Sequence, residues 1–206
     1  MRMRTRILQF ATIAVLAVAA VSAQSTPMKQ ADFQDAMRKL WDDHVTWTRL
    51  FIVSAAADLP DKSATTERLL QNQTDIGNAV KPYYGEAAGN ALTGLLKEHI
   101  VIAADLVGAA KAGDASKVAA ARKRWDANAD EIAAFLSKAN PGNWPDAEMK
   151  RMMREHLDLT MSEAVARLKG DWPADIRAYD NVHNQILKMA DMLSAGIIKQ
   201  FPAKFA

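Results

Sequence analysis

The sequence predicts an all-α fold: a six-helix bundle built from three helix-hairpin repeats of about 56 residues. Three observations predict it. From Asp32 onward apolar residues recur at intervals of three and four, the period of one helix face. Nowhere do β-branched residues alternate with polar ones between turns, as a strand would require. And one landmark repeats: His44, His99 and His156 lie 55 and 57 residues apart.

The elements follow from their stops. A first helix over 32–57 ends at Leu59-Pro60-Asp61, and a second over 64–80 ends at Pro82-Tyr83-Tyr84-Gly85. The third, 86–111, closes at Gly113-Asp114, where the glycine ends one helix and the aspartate caps the next. The fourth, 114–138, runs into Asn140-Pro141-Gly142-Asn143-Trp144-Pro145-Asp146. The fifth, 146–168, ends at Gly170-Asp171-Trp172-Pro173, and the sixth covers 173–200. These pair as hairpins 32–85, 86–141 and 146–200 within one domain, 32–206, behind a flexible segment 24–31. Leu40, Leu95 and Met152 stand four residues before the three histidines, and Thr48, Ala103 and Thr160 four after. Each second helix carries a polar residue on its apolar side: Asn72, Asn128 and His183, at 28, 29 and 27 residues past the histidine.

Residues 1–23 read as a cleaved export signal. Arg2, Arg4 and Arg6 precede an apolar run from Ile7 to Ala20, then Val21-Ser22-Ala23, the small-x-small pattern of a peptidase site. The run is too short for a permanent membrane anchor, so a periplasmic or secreted location is expected. Three of the chain's 26 basic residues lie in this signal, which leaves 23 against 24 acidic ones. That balance, with no basic cluster, gives nucleic acid and anionic membranes no electrostatic hold. There are no cysteines, which excludes disulfides, thiolate metal sites and covalent c-type haem.

Any metal chemistry must therefore rest on His, Asp, Glu or Met. Each of the four histidines stands on a different helix with apolar residues one turn away, so His44, His99, His156 and His183 are all expected to face inward. Three imidazoles at one height, completed by His183, Glu163 or water, suit zinc or copper. Asn72, Asp75, Asn128, Thr48, Thr160, Tyr179 and Asp180 are the expected partners around such a site. The alternative is a buried polar layer in which the same residues satisfy the imidazoles and fix helix register. Methionines are frequent in the C-terminal hairpin, and their helical spacing makes them core filler; a noncovalent haem is a weaker candidate. There is no Glu-x-x-His on any helix, no His-Glu-x-x-His, no Gly-x-Ser-x-Gly and no phosphate-binding glycine loop. An enzyme is not favoured, although Tyr83 and Tyr84 beside an acid such as Asp75 or Glu163 would border a pocket if one exists.

The strings Leu40-Trp41-x-x-His44-x-x-Trp47-Thr48-Arg49, Arg68-Leu69-Leu70-x-Asn72-x-x-Asp75-Ile76-Gly77 and Gly196-Ile197-Ile198-x-Gln200-Phe201-Pro202 resemble an uncharacterised all-helical bacterial family. The likeness extends over nearly the whole chain after the signal. Members are labelled automatically as glycosyltransferase or acetylglutamate kinase, but either activity requires an α/β nucleotide-binding layer that a strandless chain cannot build. Some members carry glutamate in place of His183, as an exchangeable ligand would. The resemblance implies a fold and a set of core positions and brings no activity with it.

Two functional readings result: an exported bundle that binds a transition metal through inward histidines, and a non-enzymatic binding or scaffold module with a structural His/Asn layer.

Overall fold

The computed structural model describes residues 28–206, so the expected signal at 1–23 lies outside the described residues. Those residues fold into five α-helices, α1 (Gln30–Ala57), α2 (Lys62–Lys111), α3 (Ala115–Ala139), α4 (Asp146–Lys169) and α5 (Trp172–Gln200), closed by a short 3₁₀ turn, Pro202–Lys204. The all-α class holds. The expected count of six does not, because helix continues through the segment read as a loop at 82–85.

The reason lies at Gly85. Its torsions (φ 85°, ψ 166°) are non-helical and interrupt α2, yet helical turns resume at once on either side. Pro82 lies just before this break and bears on it, since proline cannot donate to the preceding turn. The Pro82 carbonyl accepts from Lys204 Nζ. Across Gly85 the helix folds back on itself. A Cβ on Gly77 would come within 2.7 Å of the Gly89 carbonyl, and one on Gly89 within 2.6 Å of the Gly77 carbonyl, whereas twelve residues of straight helix would separate them by about 18 Å.

The other joints match their sequence signals. Asp114 and Asp171 cap α3 and α5 by accepting from the backbone N–H of Lys117 (3.0 Å) and Ala174 (3.1 Å). Gly170 ends α4 in the left-handed region. The Asn140–Pro145 connection is pinned to α5 by its two buried residues: Asn140 Nδ2 donates to the Gly196 carbonyl at 2.9 Å, and Trp144 is almost fully enclosed.

Successive helices pack as neighbours and α1 also packs along α5, so the bundle closes into a ring instead of a linear stack. The C-terminus completes it, with Ala206 N donating to the Met28 carbonyl at 3.0 Å and Phe205 stacked on Tyr83 with ring centroids 5.5 Å apart. Tyr83 and Tyr84 are thus packing residues: Tyr83 also meets Phe33 and Phe201, and Tyr84 donates to Gln200 Oε1 at 2.7 Å beside Trp144. A small second cluster, including Phe51, Ile52, Leu69, Ile100, Val107 and Ala164, fills the far end of the core.

Candidate functional site

His44, His99 and His156 are buried, at 4%, 3% and 5% exposure. They arrive in the core because each stands mid-helix on an apolar stripe, on α1, on α2 beyond Gly85, and on α4. The rings of His44 and His156 lie 5.7 Å apart, and His99 is close enough to both to interact electrostatically.

Each ring is held through Nδ1 by an amide side chain 29 residues further along the chain. His99 Nδ1 is 2.8 Å from Asn128 Oδ1, His156 Nδ1 is 3.1 Å from Gln185 Oε1, and His44 Nδ1 is 3.2 Å from Gln73 Nε2. The amides also grip backbone. Asn128 Nδ2 donates to the Leu95 carbonyl, Gln185 Nε2 to the Met152 carbonyl and Asn72 Nδ2 to the Leu40 carbonyl, at 3.0–3.1 Å. Those carbonyls belong to the residues four before each histidine, so the Asn128 and Gln185 clamps each tie one turn of one helix to a single position on the next. In the first unit the duty is divided, with Gln73 on the ring and Asn72 on the carbonyl, joined by a 3.1 Å bond from Gln73 Nε2 to Asn72 Oδ1.

An amide oxygen beside Nδ1 is an acceptor, so His99 and His156 carry their proton on Nδ1 and present a lone pair at Nε2. Burial holds all three rings neutral: it lowers the pKa to about 3 at His99 and about 4 at His156, and well below the usual value at His44, with the neighbouring imidazoles adding to the effect at His44 and His99. Thr48 and Thr160 lie one turn further on and donate to the carbonyls of His44 (2.8 Å) and His156 (2.9 Å).

The expectation of four inward histidines is corrected at His183. Its ring is about one-third exposed, with Nε2 2.7 Å from Asp42 Oδ1 in a surface pair. The residue that takes the expected third place is Gln185, two positions on and about 200° around the helix. Gln73 and Gln185 escaped the sequence reading, although a constant spacing of 29, already present between His99 and Asn128, points to both.

Glu163 is buried as expected but belongs to another cluster. Arg49 Nη1 donates to Glu163 Oε1 at 2.8 Å and to Asp175 Oδ1 at 2.9 Å, Arg49 Nη2 to Asp175 Oδ2 at 3.1 Å, and Arg167 Nη1 to the same oxygen at 3.3 Å. The Arg49 guanidinium also lies 4.8 Å over the Tyr179 ring, whose hydroxyl meets Thr46 Oγ1 at 3.2 Å. Desolvation raises the Glu163 pKa to about 7 against the pull of Arg49. Arg49 and Asp175 are further members that sequence reasoning missed. Asp180 is exposed, and Asp75 is half-buried with Gln71 (3.0 Å) and Arg68 (3.7 Å). Neither Asp75 nor Glu163 reaches Tyr83 or Tyr84 through a hydrogen bond.

Among the described residues no three His, Asp or Glu side chains are grouped so as to hold a metal ion, and no helix is long and apolar enough to cross a membrane. Fold and site together define a closed all-α bundle with a histidine–amide layer across its core. Comparison with family models, with curated proteins and with solved structures returned no match.

Proposed function

We propose that this chain is an exported, non-enzymatic binding or scaffold module, and that its imidazoles form a structural layer. One observation carries the reading: an amide on the ring recurs three times at a spacing of 29, each with an amide on the carbonyl one turn before the histidine, as a device that sets which helix packs where and in which register. The same recurrence supports three helical hairpins of about 56 residues, with the two arms of α2 belonging to different units. The near-balanced charge leaves nucleic acid and anionic membranes without a role.

A second reading is a zinc or copper site at His44, His99 and His156. It is favoured at His99 and His156 by the Nδ1 tethers, since a side chain that holds Nδ1–H leaves Nε2 free for a metal. Water would complete that site, because Glu163 is engaged by Arg49 and His183 by Asp42. The test is metal analysis of untagged protein after loading with zinc and with copper, on wild type and His99→Gln. The structural layer predicts lowered stability in the variant and no stoichiometric metal in either. One metal per chain in wild type, lost in the variant, overturns it in favour of the second reading.

A further inference from the structure

Two small cavities of about 20 Å³ each lie on either side of the histidine layer, and they differ in their polar groups. The first is lined at the three positions one turn past the histidines, Thr48, Ala103 and Thr160, and by Trp125. Trp125 is 2% exposed, its ring centroid lies 5.2 Å from that of His99, and its indole N–H has no hydrogen-bond partner. The threonine hydroxyls use their protons on the His44 and His156 carbonyls, so each has lone pairs left to accept. The other eight residues of the wall are apolar.

A buried water needs roughly 10–15 Å³ of such space and two to four polar partners. This wall offers one orphaned donor and two acceptors, and a lost partner for a buried N–H costs about 1–3 kcal/mol. We infer that the cavity beside the imidazole layer is a built site for a single water molecule, which accepts from Trp125 Nε1 and donates to Thr48 Oγ1 and Thr160 Oγ1. No cationic side chain lines the space, so an anion has no counter-charge there, and its volume excludes larger guests.

The cavity across the layer serves as an internal control. It has the same size and an orphaned indole N–H from Trp41, 5% exposed. Its wall includes Met37, Ile76, Leu92, Leu96 and Ile132 and no hydroxyl or amide side chain. A water there would have one partner, so that cavity is dry.

The experiment uses ¹⁵N-indole-labelled protein, with each signal assigned from single Trp→Phe variants. Water–indole cross-relaxation is expected at Trp125 Nε1–H with a long-lived water, and none is expected at Trp41. In the Thr48→Val/Thr160→Val variant the Trp125 cross-peak should disappear, and oxygen-17 relaxation dispersion should lose the amplitude of one internal water. Absence of the Trp125 cross-peak in wild type overturns the proposal, as does a cross-peak at Trp41 of equal strength or one that survives loss of both hydroxyls. The wild-type contrast between Trp125 and Trp41 stands even if the double variant does not fold. Metal content plays no part in any of these readouts, so the water site and the metal question fail separately.

Discussion

His99 and Asn128 are joined twice: the ring's Nδ1 lies 2.8 Å from Asn128 Oδ1, and Asn128 Nδ2 donates at 3.1 Å to the Leu95 carbonyl, one turn before His99 on the same helix. Both residues are 3% exposed. Replacing Asn128 with Leu therefore strands the buried His99 Nδ1–H and removes the second donor to the Leu95 carbonyl, which keeps its helical partner. With about 1–3 kcal/mol for the one orphaned group, the loss should be about 2 kcal/mol, read as a fall in the urea midpoint at unchanged slope. The double variant His99→Leu/Asn128→Leu should recover part of that loss, because it removes the ring along with its partner. A double variant no more stable than Asn128→Leu would show that the pair is not coupled.

Much of this layer was legible in the sequence, and its limits have physical causes. The period of 55 and 57 residues between histidines, with apolar residues a turn away, placed three imidazoles in the core. Their partners were harder to find, since a polar residue beside an apolar stripe can belong to either edge of it. His183 and Gln185 both border the stripe of α5, and only the packing of α1 on α5 shows that His183 meets Asp42 at the surface. Gly85 presents a related ambiguity. Pro82-Tyr83-Tyr84-Gly85 marks a reversal of direction, and the chain does reverse there, but a single residue of positive φ accomplishes it with no loop. Arg49, one residue from Thr48, could not be linked by sequence to Asp175 because the pair is 126 residues apart.

Acid should weaken the bundle, and the sign follows from two opposing sets of groups. Burial depresses the three imidazoles below their ordinary 6.5, to about 3 at His99 and about 4 at His156. As pH falls from 6.5 toward 4 the unfolded chain takes up protons that the folded chain refuses. The stability they contribute is thus present above pH 6.5 and is lost on acidification, at about 1.4 kcal/mol per pH unit for each imidazole fully out of step. Glu163 acts the other way. Its carboxyl is raised from 4.5 to about 7, so its contribution is present below pH 4.5 and is lost as pH rises through 7. Three groups outweigh one, and urea midpoints should fall steadily between pH 6.5 and 4. His156→Gln should flatten that slope; an unchanged slope would mean that the ring takes up its proton equally in the folded and unfolded chain.

Glu163 and Asp175 should respond differently to neutralisation. Glu163 receives one bond from Arg49, whereas Asp175 receives two from Arg49 and one from Arg167. With its pKa near 7, Glu163 already carries a proton on part of the population at neutral pH, and Glu163→Gln should cost under about 1 kcal/mol. Asp175→Asn leaves two guanidinium groups facing a neutral amide, and a loss of about 3 kcal/mol is expected from an unbalanced, largely buried charge. Arg49→Met should be at least as damaging, since it leaves Glu163 without its partner and Asp175 with Arg167 alone. Thermal or urea denaturation at pH 7 ranks the three variants, and equal losses at Glu163 and Asp175 would contradict the unequal sharing of Arg49.

The fold-back of α2 makes its own prediction at Gly77 and Gly89. A methyl on Gly77 would meet the Gly89 carbonyl at 2.7 Å and the Thr93 hydroxyl closer still, and a methyl on Gly89 would meet the Gly77 carbonyl at 2.6 Å. Because the obstacle is backbone on both sides, neither arm can yield by turning a side chain. Alanine at either site should therefore cost about 2–3 kcal/mol despite its better helix propensity. Gly94, also helical, has nothing within 4 Å of a built Cβ, so Gly94→Ala should be neutral or stabilising by up to about 1 kcal/mol. Opposite signs at Gly77 and Gly94, measured by thermal unfolding, would separate close backbone approach from intrinsic propensity. A stabilised Gly77→Ala would mean that the two arms of α2 do not pack in contact.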